Sequence, residues 1–286
     1  MKKNTSILGI IFMLLGTFSL GSNDILVKGL SFNFPIWEIV FFRALSGFLI
    51  SIMLVIIFGY SKLKTKKPLA HFIRAFSSVG CVVLFFFGIK FLLLSENQAI
   101  FHIAPIIACL LAIPFLGEKL GFHRAIAIVI GFIGTIIILK PGTDLFNIYS
   151  LIPLTSAVFM ASAYLSTRYL MTTESSISII FYYSLALLIT SIIFFPSDFI
   201  MPNFIEFFPL FLTGVVGSIG HYFLSLAAKN AEVIVITPFE YSSFIFVTIL
   251  AYIFYNQIPD ITIYIGAIFI IISGIYIVFK EQKNNI

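Results

Sequence analysis

Charge is scarce in this chain. Only 10% of its 286 residues are Asp, Glu, Lys or Arg, against 60% hydrophobic, and no stretch long enough for a water-soluble domain separates the apolar runs. Cysteine is nearly missing as well: Cys81 and Cys109 sit mid-way along apolar runs and read as small buried hydrophobes. The four histidines, His71, His102, His123 and His221, are scattered without the spacing of metal ligands, so neither a metal nor another cofactor is expected. No G-x-x-x-x-G-K-[ST] run occurs, and no loop has room for a nucleotide-binding domain.

What fills the chain instead is length of apolar sequence. A hydrocarbon core about 30 Å thick needs roughly 20 apolar residues at the helical rise. Stretches of that length recur near 7–28, 36–58, 70–90, 96–116, 122–140, 149–171, 177–195, 205–228, 232–254 and 261–280, and the mean hydropathy is +1.12. The runs are long and continuous, not alternating ten-residue segments, so they predict helices and not barrel strands. The fold class expected is an all-α membrane protein with ten transmembrane helices, multi-pass in the inner membrane. Lys2 and Lys3 precede an apolar run without an A-x-A site, which reads as a retained first helix and not a cleaved signal.

Basic residues orient the spans. With the N-terminus inside, thirteen of the seventeen Lys and Arg fall at cytoplasmic ends and loops, including Arg74, Arg168 and the 61–67 run SKLKTKK. Both termini are then cytoplasmic. The net charge of +5 is explained by topology and anionic lipid, so nucleic acid is not an expected partner.

An internal repeat divides the chain. Residues 105–134 read as a helix, a tight Gly117-Glu118-Lys119 turn and a glycine-bearing helix, and residues 238–274 read the same way with an offset of 139 to 140. Two halves of five spans, 1–143 and 144–286, follow. An odd number of spans per half inserts the second copy upside down, an arrangement found in secondary transporters whose substrate site lies between the halves.

These segments resemble a known family. Pro105, Phe115-Leu116-Gly117-Glu118-Lys119, Gly131, Gly134 and Lys140-Pro141-Gly142 resemble the EamA domain of the drug/metabolite transporter superfamily, and Pro238-Phe239-Glu240-Tyr241 resembles its second copy. Asn23-Asp24 through Lys28, Phe42-Arg43 and Thr167-Arg168 are similar to it too. The resemblance implies a metabolite carrier, and the Pro238-Tyr241 variant is most similar to carriers that take up S-adenosylmethionine or comparable charged metabolites. Gln257 stands where the family's second turn carries Glu. A glutamate at such a helix end is expected to cap exposed amides, a role Gln can share.

Ionisable residues inside the spans point to the site, because a charge near a helix centre costs about 2.5 to 3.5 kcal/mol and is kept for a cavity or a partner. Glu240 comes closest to mid-depth of any carboxylate; Arg43, Glu38, His221 and His102 are the other candidates, with Tyr164, Tyr182, Tyr222 and Tyr241 as aromatic walls. Each has a plainer reading. Glu38 beside Trp37 fits an interfacial residue, Arg43 a lock between helices, and the histidines satisfied buried polar groups. Asp24 and Lys28, spaced i to i+4, fit a surface pair. Ala157 and Ala161, and Gly214, Gly217, Ser218 and Gly220, read as close-packing faces.

Together these residues predict a secondary transporter for a small charged or zwitterionic organic molecule: guanidinium for a carboxylate or phosphate, Glu240 for an amine or sulfonium. A passive channel, an exporter and an intramembrane enzyme are the competing classes; the last would need a clustered nucleophile and base, which the sequence does not offer. Lipid-facing Phe and Ile would look the same at a dimer contact, leaving monomer and homodimer both open.

Overall fold

A computed structural model describes residues 3–92, 94–118, 121–139, 148–255 and, beyond these, 265–266, 268–269, 271–273 and 275–276. Its helices are α1 Lys3–Leu30, α2 Ile36–Phe58, α3 Pro68–Phe91, α4 Leu94–Phe101, α5 Ala104–Leu116, α6 Phe122–Leu139, α7 Leu151–Leu170, α8 Ser176–Ile193, α9 Phe204–Asn230, α10 Val233–Ile236 and α11 Ser242–Tyr255. Among the described residues there is no strand, and seven helical segments are long and apolar enough to cross a membrane. Lys140-Pro141-Gly142, the division near residue 143, Gln257 and most of the 261–280 span lie outside the described residues; those within that span that are described are helical.

Two expected spans differ from a continuous helix. The fourth breaks at His102-Ile103 into α4 and α5, and the ninth consists of α10, a 3-10 turn over Thr237–Tyr241, and α11. Proline explains both breaks. Pro105 and Pro238 lie at the first positions of α5 and of the 3-10 turn, where their missing amide leaves no unfilled hydrogen bond, but neither could donate to a helix continuing through it. Gly117 ends α5 in the left-handed region (φ 67°), so the chain reverses while the amides of Gly117 and Glu118 both reach the carbonyl of Ala112.

The packing has a two-fold pattern. α1 lies on α9 and α3 on α7; α2 lies on α9 and α8 on α3; α1 touches α11 and α5 touches α7; α2 and α8 meet each other. Exchanging α1 with α7, α2 with α8, α3 with α9 and α5 with α11 maps this set of contacts onto itself. Gly80 and Gly220, 140 residues apart, sit at the equivalent crossings, against Phe159 and Leu20.

Small and hydroxylic residues occupy these crossings because lipid tails give helices no hydrophobic reason to associate; close contact and hydrogen bonds must do it. Ala157, Ala161, Ser51, Ser184 and Thr213 are buried while Phe58, Phe72, Phe76 and Phe204 are exposed. Ser184 donates to Ser51 (3.1 Å), Ser19 to the carbonyl of Val216 (2.8 Å) and Ser156 to that of Cys81 (2.8 Å). At Gly214 a Cβ would strike Ser46 and the backbone of Arg43 and Gly47, so α9 reaches α2 only without a side chain there.

Candidate substrate cavity

The two breaks face each other. Thr237 Oγ1 lies 3.2 Å from Cys109 Sγ, joining the 3-10 turn to α5, and His102 Nε2 lies 2.7 Å from Ser243 Oγ, joining the end of α4 to α11. Nδ1 of His102 is 2.5 Å from the carbonyl of Gln98; facing an acceptor, it carries the proton. Interrupted helices thus bring irregular backbone and polar side chains inside the bundle, where they line a cavity.

That cavity has a volume of about 80 Å³. Thr17, Gly21 and Asp24 of α1 line it with Arg43 of α2, then Cys81, Phe85 and Phe86 of α3. Gln98, Phe101 and His102 close one side, and Met160, Tyr164, His221, Glu240 and Ser243 the other.

Glu240 occupies the 3-10 turn, 5% exposed, and lines the cavity with Tyr164, its Oε2 left without a hydrogen-bond partner. A turn of 3-10 helix aims this side chain inward while Phe239 and Tyr241, on either side, are buried in the protein. Arg43 donates from Nη1 to Oδ1 of Asn23, whose Nδ2 donates to the carbonyl of Thr213 (2.6 Å). Its guanidinium lies 5.3 Å from the centre of the Phe86 ring and against the Cα of Gly217. Asp24 accepts from Nε2 of Gln98 (3.3 Å). His221 presents both ring nitrogens unpartnered, its ring 4.6 Å from that of Tyr183. The cavity therefore holds one buried arginine, two carboxyl groups, two imidazoles and four aromatic rings: a chemistry for both signs of charge on a partly apolar molecule.

Of the nine residues singled out from sequence, Glu240, Arg43, His221, His102 and Tyr164 line this cavity and four lie elsewhere. Glu38 is buried at the start of α2 and accepts the amide of Ile200 (3.0 Å), fastening the α8–α9 loop. Tyr182 donates to the carbonyl of Leu63 (2.9 Å) beside His71, near the α2–α3 loop. Tyr222 is half-exposed on the outside of α9. Tyr241 is fully buried behind the cavity, filling the space over Gly131 with its ring 6.1 Å from His102.

Other cavity residues carried a weaker signal. Asp24, expected as half of a surface pair with Lys28, instead turns to Gln98 and the cavity; Lys28 lies 5.7 Å over the ring of Tyr255. Arg74, counted among the cytoplasmic positive charges, is only 4% exposed inside the bundle. Glu118 was expected to cap a helix end, and it accepts the amides of Val233 and Ile234, both at 3.0 Å, at the start of α10.

The family model described as "EamA-like transporter family" matches residues 7–140 and again 147–279. The chain belongs to this family. An EamA-like protein is a transporter of metabolites and not an enzyme, and its interior polar residues are read on that basis. The S-adenosylmethionine uptake transporter of Rickettsia bellii is 27% identical over 276 residues, covering 96% of this chain and 95% of its own. The pseudopaline exporter of Pseudomonas aeruginosa is 26% identical over 269 residues, with 93% and 94% covered. The riboflavin transporter of Vibrio cholerae is 26% identical over 244 residues, with 82% of each covered. A solved crystal structure superposes with a TM-score of 0.81 at 16% identity over 99% of both chains, a likeness of fold alone. These relatives include an importer and an exporter on one EamA architecture, so direction is not written in the fold.

Proposed function

We propose that this protein is a secondary transporter that moves a small zwitterionic or cationic organic metabolite by alternating access. The observation that carries this reading is the cavity at the meeting of the two broken helices, with Glu240 and Asp24 on one side of the charge balance and Arg43 on the other. At about 80 Å³ it is well below the roughly 300 Å³ at which ligand sites usually begin, so substrate enters only when the halves part. The two-fold pattern of packing supports two inverted halves divided near residue 143; the apolar runs and the placement of basic residues support ten spans, five to each half, with both termini cytoplasmic in the inner membrane.

S-adenosylmethionine is the substrate we favour. Its sulfonium and ammonium suit Glu240, its carboxylate suits a guanidinium, and its adenine suits Phe85, Phe86 and Phe101. Passive diffusion through an open pore is the weaker reading, since the polar groups cluster at mid-depth and do not form a stripe from face to face. Export is not favoured by any contact.

Uptake of radiolabelled S-adenosylmethionine into proteoliposomes tests the proposal. Glu240→Gln and Arg43→Gln, reconstituted at matched amounts, are each expected to lower the rate about tenfold or more. Normal transport by both would remove the cavity as the site. An imposed pH gradient that leaves the rate unchanged would exclude proton coupling in favour of exchange or facilitated diffusion.

A further inference from the structure

Arg74 is an arginine that the cavity chemistry just described leaves unused. Its side chain is 4% exposed, and neither Nε nor Nη1 has a hydrogen-bond partner. Among the described residues no carboxylate lies within 4.0 Å of it. The nearby hydroxyls of Ser78 and Thr167 donate to the carbonyls of Arg74 and Ala163, and neither accepts from Nε or Nη1 of Arg74. The face of the guanidinium lies 5.8 Å from the Tyr183 ring, which offsets only part of the cost of a buried cation.

The space in front of Arg74 is a second, smaller chamber of about 20 Å³ that shares Cys81, Met160, Tyr164 and His221 with the main cavity. Tyr164 lines both chambers, and Glu240 lines the main one with it. The two buried arginines also stand at corners that the two-fold pattern exchanges. Arg43 is where α2 meets α9, and Arg74 is where α3 meets α8. Arg43 already has Asn23 as acceptor; Arg74 lacks one.

The geometry points to Arg74 as the anion subsite of the transport path, a guanidinium that takes the substrate's carboxylate while Glu240 takes its cationic centre. This rests on the transporter reading above and adds to it a residue and a ligand group. A forked guanidinium matches a carboxylate with two parallel hydrogen bonds, and the pairing would neutralise a charge that the protein itself leaves open. Movement of the carboxylate between Arg43 and Arg74 would then follow the exchange of the two corners.

The test compares S-adenosylmethionine with its decarboxylated analogue, which keeps the sulfonium, adenine and amine but lacks the carboxylate. Binding is read by thermal shift on purified wild type, Arg74→Gln and Arg74→Lys. Wild type is expected to prefer the carboxylate form, Arg74→Gln to lose that preference by about tenfold or more, and Arg74→Lys to keep part of it. Equal binding of both compounds by wild type, or an Arg74→Gln variant that retains the preference or weakens both compounds alike, would overturn the assignment.

Should wild type bind neither compound, the S-adenosylmethionine reading falls, and the subsite is judged on acetate and inorganic phosphate. Stabilisation of wild type but not Arg74→Gln by either supports it, and no difference overturns it. Modification of Arg74 by phenylglyoxal, followed by mass spectrometry on wild type, needs no variant. Protection by any of these compounds supports the subsite, and equal modification with and without all of them refutes it.

Discussion

The two ends of the bundle are fastened by the same device in different materials. At one end Glu38, from the first half, accepts the amide of Ile200 in the α8–α9 loop of the second half. At the other, Glu174, from the second half, accepts from Thr65 Oγ1 and the amide of Lys66, both 3.2 Å, in the α2–α3 loop of the first. Reciprocal latches follow from the two-fold pattern that exchanges α2 with α8. Around Glu38 the seal is aromatic: Trp37 stacks on Phe194 (4.9 Å), Phe41 meets Phe195 edge-on (5.2 Å) and Phe42 lies by Phe199. Around Glu174 it is more polar: His71 lies 3.7 Å away with its ring 4.7 Å from that of Tyr182, and Lys67 Nζ, 3.9 Å over the Tyr169 ring, bonds Thr172 (3.1 Å). Water can replace hydrogen bonds but not ring contacts, so the α2–α3 end is the easier of the two to open.

The sharpest way to break this comparison is through the helices beneath the latches. Gly214→Val drives a side chain into the backbone of Arg43 and Gly47, which cannot yield without parting α9 from α2. Gly80→Val meets only the ring of Phe159, at 3.1 Å, and a ring can turn. The expected loss is about 3 kcal/mol or more for Gly214→Val and about 1 kcal/mol for Gly80→Val, read as melting temperature in detergent. Equal losses would mean that the two crossings are equally tight and that Gly214 has no special role in seating Arg43.

The latches come next. Glu38→Ala leaves the Ile200 amide without its acceptor beneath an aromatic seal, at a cost of about 1 to 3 kcal/mol. Glu174→Ala exposes the Lys66 amide to water and should cost about 0.5 to 1 kcal/mol. Hydrogen exchange on the unmodified protein sharpens the same point without substitution. The amide of Lys66 should exchange faster than that of Ile200, and the reverse order would invert the assignment of the looser end.

The particular residues show why sequence took the reading so far and no further. Apolar length located the helices, and proline explains the two breaks after the fact, but Pro105 and Pro238 in long apolar runs do not by themselves announce interruptions in place of kinks. Position along the runs was legible too: Glu240, Arg43, His102 and His221 interrupt apolar runs from within, and all reach the cavity. Rotation about the helix axis was not. A helix apolar on every side carries no stripe to say which face is inside, so Tyr222 pointed outward and Tyr182 toward a loop without warning. Arg74 was hidden for a related reason, since a basic residue six positions into a helix looks the same whether it snorkels to the headgroups or turns into the bundle.

The smallest effect concerns the pin at the polar end, and its sign separates two opposing forces on one carboxylate. Glu118 holds the first two amides of α10, whose chain leads directly to Glu240, and Nε of Arg168 lies 3.9 Å away. Those amides and Arg168 favour the ionised form; burial opposes it and outweighs them, with Glu232 adding to the opposition, so the pKa is raised above its ordinary 4.5. The folded state therefore binds more protons than the unfolded chain between 4.5 and that raised value, and stability falls as pH rises through this window. Glu118→Gln, which still offers one acceptor oxygen, is expected to flatten the decline while lowering the melting temperature only slightly. A decline that persists in Glu118→Gln would assign it to another group, and a rise with pH in wild type would mean that the amides and Arg168, not burial, dominate at this pin.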